Sequence, residues 1–186
     1  MNTKEKGLSL IEVLVALVIL TVGLIGVFNL HVISKRGSFE SFQQTQAAYL
    51  ANDIISRIKL NRSQLTSYAG TYSGTLSIPG KRCDVSVGQP IDTCNTFETR
   101  LWDLYQLDQQ VLGYSEVLDG KKVGGLDNAT ACIEAKDSGE VTVVLSWRGM
   151  NKVNKAGPLQ PVFVRGCGES KNKNQRRFYF INTVIL

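Results

Sequence analysis

The chain has 186 residues, with 21 Lys and Arg against 16 Asp and Glu, for a formal net charge of +5 at pH 7. The length suits one globular domain with an appendage, and 43% hydrophobic residues with only 4 Pro exclude both a wholly disordered chain and a fibrous repeat. A single long apolar run excludes a polytopic membrane protein, and the near-zero mean hydropathy averages a very apolar N-terminus with a polar remainder.

The first element is that run, Leu8 to Phe28, LSLIEVLVALVILTVGLIGVF, which holds one charge, Glu12. As a helix it spans about 31 Å at ~1.5 Å per residue, matching the ~30 Å hydrocarbon core of a bilayer. Lys4 and Lys6 on the short flank ahead of it favour a cytoplasmic N-terminus, with the rest of the chain outside. A secretory signal peptide needs an apolar region of about 7–15 residues and a small-x-small cleavage site. Here the run is longer, and NLHVISKRG after it offers no such site. Two readings remain, a plain anchor and an anchor with a special task. Glu12 favours the second. A charged residue at mid-bilayer costs about 2.5–3.5 kcal/mol on translocon scales, and an intramembrane ionisable group is a functional candidate by default.

Its partner can be proposed from the same residues. Cleavage after Gly7 would place a new α-amine on Leu8, which shares a helix face with Glu12 at i and i+4. The amine and the carboxylate could neutralise each other within one chain. They could also do so between chains displaced by about one helical turn, roughly 5.4 Å.

KGLSLIEVLVAL resembles the class III leader and helix start of type IV pilins and pseudopilins. The resemblance implies cleavage after Gly7 by prepilin peptidase, N-methylation of Leu8, and use of Glu12 in subunit docking and register. Leu8 stands where major pilins usually carry Phe. The Pro that many major pilins carry in this helix is absent, with Gly23, Gly26 and Asn29 in that region. Both departures point to a minor rather than a major pilin. Gly23 and Gly26 suit either a close-packing helix face or local softening, since Gly costs about 0.8–1 kcal/mol against Ala in a helix.

Residues 38–62, SFESFQQTQAAYLANDIISRIKLNR, continue the helix. Ala47, Leu50, Ala51, Ile54 and Ile58 form an amphipathic stripe suited to packing on a sheet. Ser34 to Gly37 is expected to bend or interrupt the helix. The phrase AYLANDIISRIKLNR is similar to the segment closing the long helix of PilV-type minor pilins.

From Leu65 to Pro90, Gly and Pro punctuate short β-prone pieces such as Thr75–Ile78. Asn95–Leu112 predicts a second helix capped by Thr96, with Phe97, Leu101, Leu104, Tyr105 and Leu107 as its apolar set, Trp102 beside them, and Gly113 ending it. Ala129–Glu134 and Glu140–Trp147 predict a hairpin across Lys136–Gly139, with Val141, Val143, Leu145 and Trp147 on one face. Pro161–Arg165 is a third candidate strand. Arg177–Val184 is a fourth, apolar on both faces as a covered strand would be. The fold expected is α+β, a long helix on an antiparallel sheet of about four strands, matching the architecture the pilin resemblance implies.

Four cysteines in a domain placed outside the cytoplasm suggest two disulfides, with three possible connectivities. Chain order favours Cys83–Cys94, closing a short loop before the second helix, and Cys132–Cys167, tying the hairpin to the loop after Pro161–Arg165. No C-x-x-C spacing and a lone His31 argue against zinc or catalytic thiol chemistry. No nucleophile-elbow, phosphate-loop or zincin motif is present. Asp84, Asp92, Asp103 and Asp108 are expected to be solvated or capping residues. Lys171, Lys173, Arg176 and Arg177 cluster in KNKNQRR without interleaved aromatics, so a charged surface loop is expected rather than nucleic-acid binding.

The reading is a minor pilin in three parts: leader 1–7, membrane and filament-core helix 8–30, and periplasmic head 31–186. It is expected to work without catalysis or cofactor. The expected partners are prepilin peptidase, other minor pilins, the major pilin, the pilus assembly platform and a tip adhesin, with a single pass through the bacterial inner membrane before entry into the pilus. The alternatives are a minor pseudopilin of a type II secretion system and, in another class, a membrane-anchored binding or enzymatic domain.

Overall fold

The computed structural model describes residues 9–84, 93–114, 116–122, 124–153, 160–170 and 174–186. The chain divides into two compact units, Met1–Glu40 and Ser41–Leu186. Helix α1, Leu10–Leu60, belongs to both and is one uninterrupted helix of 51 residues. The helix is not interrupted at Ser34–Gly37. A Cβ on Gly37 would meet nothing within 4 Å, so the glycine answers to no close packing, and the flanking residues carry the helix through it.

In the first unit α1 is apolar on all sides and exposed on all sides from Leu10 to Phe28. Such a surface is stable only in lipid or against other apolar helices.

In the second unit α1 buries Ala47, Leu50, Ala51, Ile54 and Ile58, the stripe expected from the sequence, together with Gln43 and Ile55. A 3-10 helix, Arg62–Tyr68, follows, then β1, Gly70–Tyr72. Thr75–Ile78 is not a strand; the backbone there is instead held by a carboxylate. Asp108 accepts the N–H groups of Gly74 at 2.6 Å and Leu76 at 2.8 Å.

Helix α2 is Thr96–Val111. Its cap is Asn95, one residue earlier than expected. The Asn95 side chain accepts from Glu98 N–H and Glu98 accepts from Asn95 N–H, both at 2.9 Å. This reciprocal box satisfies two orphan donors at once, and the Asn95 N–H holds the Glu98 carboxyl below its ordinary pKa. Gly113, at φ +71, turns the chain out of the helix, and a Cβ there would strike the Gly124 carbonyl. The buried face of α2 is Trp102, Asp103, Leu104, Leu107, Asp108 and Val111. Phe97 and Leu101 are exposed, contrary to the apolar set read from the sequence. Asp103 and Asp108 are buried rather than solvated, because each faces donors on another element.

A two-stranded hairpin pairs β2, Val117–Leu118, with β3, Lys121–Lys122. The main sheet adds β4, Thr130–Ala135, β5, Glu140–Arg148, and β6, Arg176–Val184, to β1 in the order β1-β4-β5-β6, antiparallel throughout. The β4–β5 hairpin runs in the expected alternation. Val141, Val143, Leu145 and Trp147 join Leu50, Ile54 and Ile58 in one core, while Val144 turns to the other face. The α+β fold is therefore the one the sequence predicts, and it fits a type IV pilin-like architecture.

Two strands differ from expectation. Pro161–Arg165 is not extended: Val162–Gly166 forms a short helix, α3, with Pro161 at its N-cap. The fixed φ of Pro, −52° here, starts a helix as readily as a strand. Val164 then packs with Cys132, Val144 and Cys167 in a second small cluster, so tertiary packing overrides the β preference of Val and Phe. Strand β6 is not covered on both faces. It lies at the sheet edge, with Phe180 and Val184 exposed.

Candidate functional site

The first turn of α1 is the candidate site. Gly7 and Leu8, the expected processing pair, lie outside the described residues. At the helix start, Glu12 N–H donates to the Ser9 carbonyl at 3.0 Å and Val13 N–H to the same oxygen at 3.3 Å. The N–H groups before them have no intrahelical acceptor, so this end carries the positive pole of the helix dipole. Glu12 sits in that first turn, where a carboxylate is favoured electrostatically.

The surroundings make the acid conspicuous. Between Leu10 and Phe28 only Glu12 and Thr21 carry polar side chains. The Thr21 hydroxyl is satisfied by donating to the Val18 carbonyl at 2.8 Å. No hydrogen bond or ion pair engages the Glu12 carboxylate among the described residues. An acid flanked by Leu10, Ile11 and Val13, all exposed, would have to find a cationic partner or a proton on entering lipid. Gly23 and Gly26 leave open notches on the same helix, since a Cβ on either meets nothing within 4 Å.

The head contributes rigidity. Arg57 donates to Asp53 at 2.8 Å and to Asp103 at 3.0 Å, and also to Gln106. Tyr68 donates to the other Asp103 oxygen at 2.7 Å, and Asn61 donates to Tyr68 at 3.1 Å and to the Thr96 carbonyl at 2.7 Å. This network joins the end of α1, the 3-10 helix and α2. Burial opposes the Arg57 charge, but its hydrogen bonds to Asp103 and Asp53 outweigh that and raise its pKa. Burial, then the bond to Asp103, pushes the Tyr68 phenol far above its ordinary range. Burial lifts Tyr72 to about 12. A cleft of about 450 Å³ opens beside the network, lined by Asp53, Arg57, Asn61, Thr96 and Asp103 among others. Its charged groups, Asp53, Arg57 and Asp103, are already bonded to one another, two carboxylates sharing one guanidinium. Sequence reasoning missed Asn61, Tyr68 and Asp103 as a network. Their only sequence signal was a polar residue at a core-facing position.

The structure joins Cys83 to Cys94 and Cys132 to Cys167, with Cα separations of 5.8 and 5.9 Å, the pairing that chain order favours. The first loop precedes α2. The second fastens β4 to the end of α3 inside the small cluster. Of the basic cluster, Lys171 and Lys173 lie outside the described residues. Arg176 and Arg177 open β6, and Arg176 donates to the Cys167 carbonyl at 3.0 Å.

Neither the comparison with curated proteins nor that with solved structures gives a match for this chain. Residues 2–28 match the family described as the prokaryotic N-terminal methylation motif. The match covers the leader, the Gly7–Leu8 junction and the apolar half of α1, with Glu12 inside it. It supports a place in the type IV pilin and pseudopilin superfamily, with processing by prepilin peptidase and association with pilus or pseudopilus components.

Proposed function

We propose that this chain is a minor pilin that takes part in assembling a type IV pilus. It rests in the inner membrane with its N-terminus in the cytoplasm and its head in the periplasm. Prepilin peptidase cuts after Gly7, and Leu8 becomes the methylated N-terminus. The subunit then joins other minor pilins in a priming or tip complex on the assembly platform, from which the major pilin grows and to which a tip adhesin attaches. No step of this requires catalysis by the chain itself.

The observation carrying the reading is Glu12. Among the described residues it is a carboxylate without a partner, in the first turn of a helix whose apolar surface is uncovered on every side, within the stretch that matches the methylation motif. Desolvating that charge is costly, whereas the amine released at Leu8 on a neighbouring subunit would neutralise it. Leu8 in place of Phe, the absence of Pro from the helix and the phrase AYLANDIISRIKLNR support the minor, PilV-type branch.

The test has two parts. N-terminal sequencing of the cellular protein is expected to begin at methylated Leu8, and a chain beginning at Met1 or trimmed past Phe28 would overturn the reading. Deleting the gene is then expected to abolish surface pili and twitching while secretion continues. Lost exoprotein secretion with normal pili would assign the chain to a type II secretion pseudopilus instead.

A further inference from the structure

We propose that Lys35 and Arg36 of α1 bind the phosphate headgroup of an anionic phospholipid, in the leaflet through which α1 leaves the membrane. The proposal rests on the bilayer reading of α1 but not on the pilus assignment.

Depth is the first argument. Apolar side chains stay exposed past Phe28, at Leu30 and Ile33. Lys35 stands two residues past Ile33 and seven past Phe28, and α1 is continuous through all of them. At ~1.5 Å per residue, the Lys35 backbone lies about 3–10 Å beyond the hydrocarbon edge, wherever in this stretch that edge falls. A ~30 Å core in a bilayer of about 40–45 Å leaves a headgroup layer of about 5–8 Å on each side. In a helix every Cα–Cβ bond tilts towards the N-terminus, which here is the bilayer side. The long stems of Lys35 and Arg36 therefore carry both cations back into the phosphate layer.

The second argument is unspent charge. Asn29 to Phe39 contains no Asp or Glu, and Glu40, the next acid, lies a turn farther from the bilayer. Lys35 and Arg36 are exposed, and among the described residues no hydrogen bond or ion pair engages either side chain. Lys35 shares a helix face with His31 and Ser38, at i−4 and i+3, both exposed. They add a ring N–H and a hydroxyl beside the ammonium. Arg36, about 100° round the helix, offers a planar fork that suits two oxygens of one phosphate.

The third argument is the flank on which the pair sits. Lys and Arg beside a span favour its cytoplasmic side. Lys4 and Lys6 obey that rule, whereas Lys35 and Arg36 oppose it in equal number. Neutral residues would tether the head without this conflict. Two unpaired cations at phosphate depth on the disfavoured flank fit an anionic headgroup, which is worth about fivefold in binding for each cation at such a surface.

The test reconstitutes the full-length chain in vesicles mixing phosphatidylglycerol with phosphatidylcholine. A benzophenone side chain introduced at Ser34 crosslinks to lipid beside the site on illumination, and mass spectrometry gives the ratio of the two adducts. With Lys35 and Arg36 in place, phosphatidylglycerol adducts are expected at least fivefold above its share of the vesicle, and added salt should weaken the preference. Lys35→Gln with Arg36→Gln should bring the ratio within twofold of that share, while Lys59→Gln, at the other end of α1, should leave it unchanged. Insertion is scored separately by resistance to alkaline carbonate. The double variant should pass, because its flanking charges favour the orientation more than those of the wild type. Millimolar inorganic phosphate should leave the preference intact, and displacement by it would make the ligand a free anion and overturn the headgroup assignment. An inserted wild type without preference, or a preference indifferent to the double variant, would overturn the site alone. A wild type stripped by carbonate would overturn the bilayer reading and the site together.

Discussion

The phenol of Tyr68 donates to Asp103 at 2.7 Å, a bond between the 3-10 helix and α2 across 35 residues of sequence. The same carboxylate accepts from Arg57 of α1 through its other oxygen at 3.0 Å. One buried acid thus fixes three elements at the end of the long helix. Removing it would leave a buried phenol without its acceptor and a part-buried guanidinium with only Asp53 and Gln106. Breaking a buried pair of this kind costs about 3–5 kcal/mol. With the Arg57 side chain about a quarter exposed, we expect about 2–3 kcal/mol for Asp103→Ala. Near-UV circular dichroism of the solubilised chain should show a midpoint lowered by about 5–10 °C. Asp103→Asn, which keeps an acceptor oxygen, should cost less. Equal midpoints for wild type and Asp103→Ala would mean that the network adds no stability.

The same burial predicts an alkaline transition. A phenol whose pKa is raised on folding holds a proton in the folded head that it would lose in the unfolded chain. Its contribution is fully present below about 10, the unfolded value. It is lost as pH rises towards the folded value, which is about 12 for Tyr72 and higher still for Tyr68. Of the six tyrosines in the chain, Tyr68 and Tyr72 should stay protonated until the head unfolds. Phenolate absorbance followed at pH 11 should therefore rise in two phases, the later one coincident with loss of near-UV signal. A single phase preceding unfolding would contradict the assignment.

What the sequence revealed and what it hid divide along physical lines. The core face of α1, Ala47 to Ile58, and the alternation of Val141 to Trp147 were legible because one-sided burial imposes a period, 3.6 or 2, on residue type. Glu12 stands out as a candidate because a charge inside an apolar run has no bland explanation. Asp103 and Asp108 were not, since a buried acid differs from a surface acid only in its partners, and Arg57, Tyr68, Gly74 and Leu76 are 32 to 46 residues away. Pro161–Arg165 was misread as a strand because five residues are too few for either period to declare itself. The edge position of β6 was hidden because strand order is a property of the whole sheet, and Phe178, Tyr179 and Phe180 suit a buried strand as well as an edge strand.

The two disulfides should separate under reduction. Cys132 and Cys167 are each 3% exposed and their bridge spans 35 residues, against 11 for Cys83–Cys94. In the chain-entropy account the longer loop contributes about 4 kcal/mol and the shorter about 3. Burial also keeps a reductant from the longer one, while Cys83 and Cys94 are half-buried. A rising concentration of dithiothreitol on the folded chain should expose two thiols first, mapped by alkylation to Cys83 and Cys94. The other pair should open only with unfolding. Simultaneous release of all four would show that the small cluster of Val144, Val164 and Cys167 opens as readily as the loop before α2.

Processing and docking are separable steps at the N-terminus. Gly7→Val puts a branched side chain where the peptidase is expected to need none. The precursor mass should therefore persist when enzyme and chain are co-expressed, and normal trimming would remove Gly7 from the processing site. Glu12→Val leaves that junction intact and removes the one charge between Leu10 and Phe28. Membrane insertion should be unchanged or improved, because an ionised group in lipid is costly. Assembly should fail, because the neighbouring Leu8 amine has lost its counter-charge. Losing about 1.4 kcal/mol at that contact lowers an association constant tenfold. The measurable outcome is at least a tenfold drop of this subunit in sheared filaments, at equal abundance in the inner membrane. Glu12→Gln, equal in shape but neutral, should behave like Glu12→Val if charge is the cause. If it assembles as wild type does, the role of Glu12 is hydrogen bonding or packing rather than electrostatic docking.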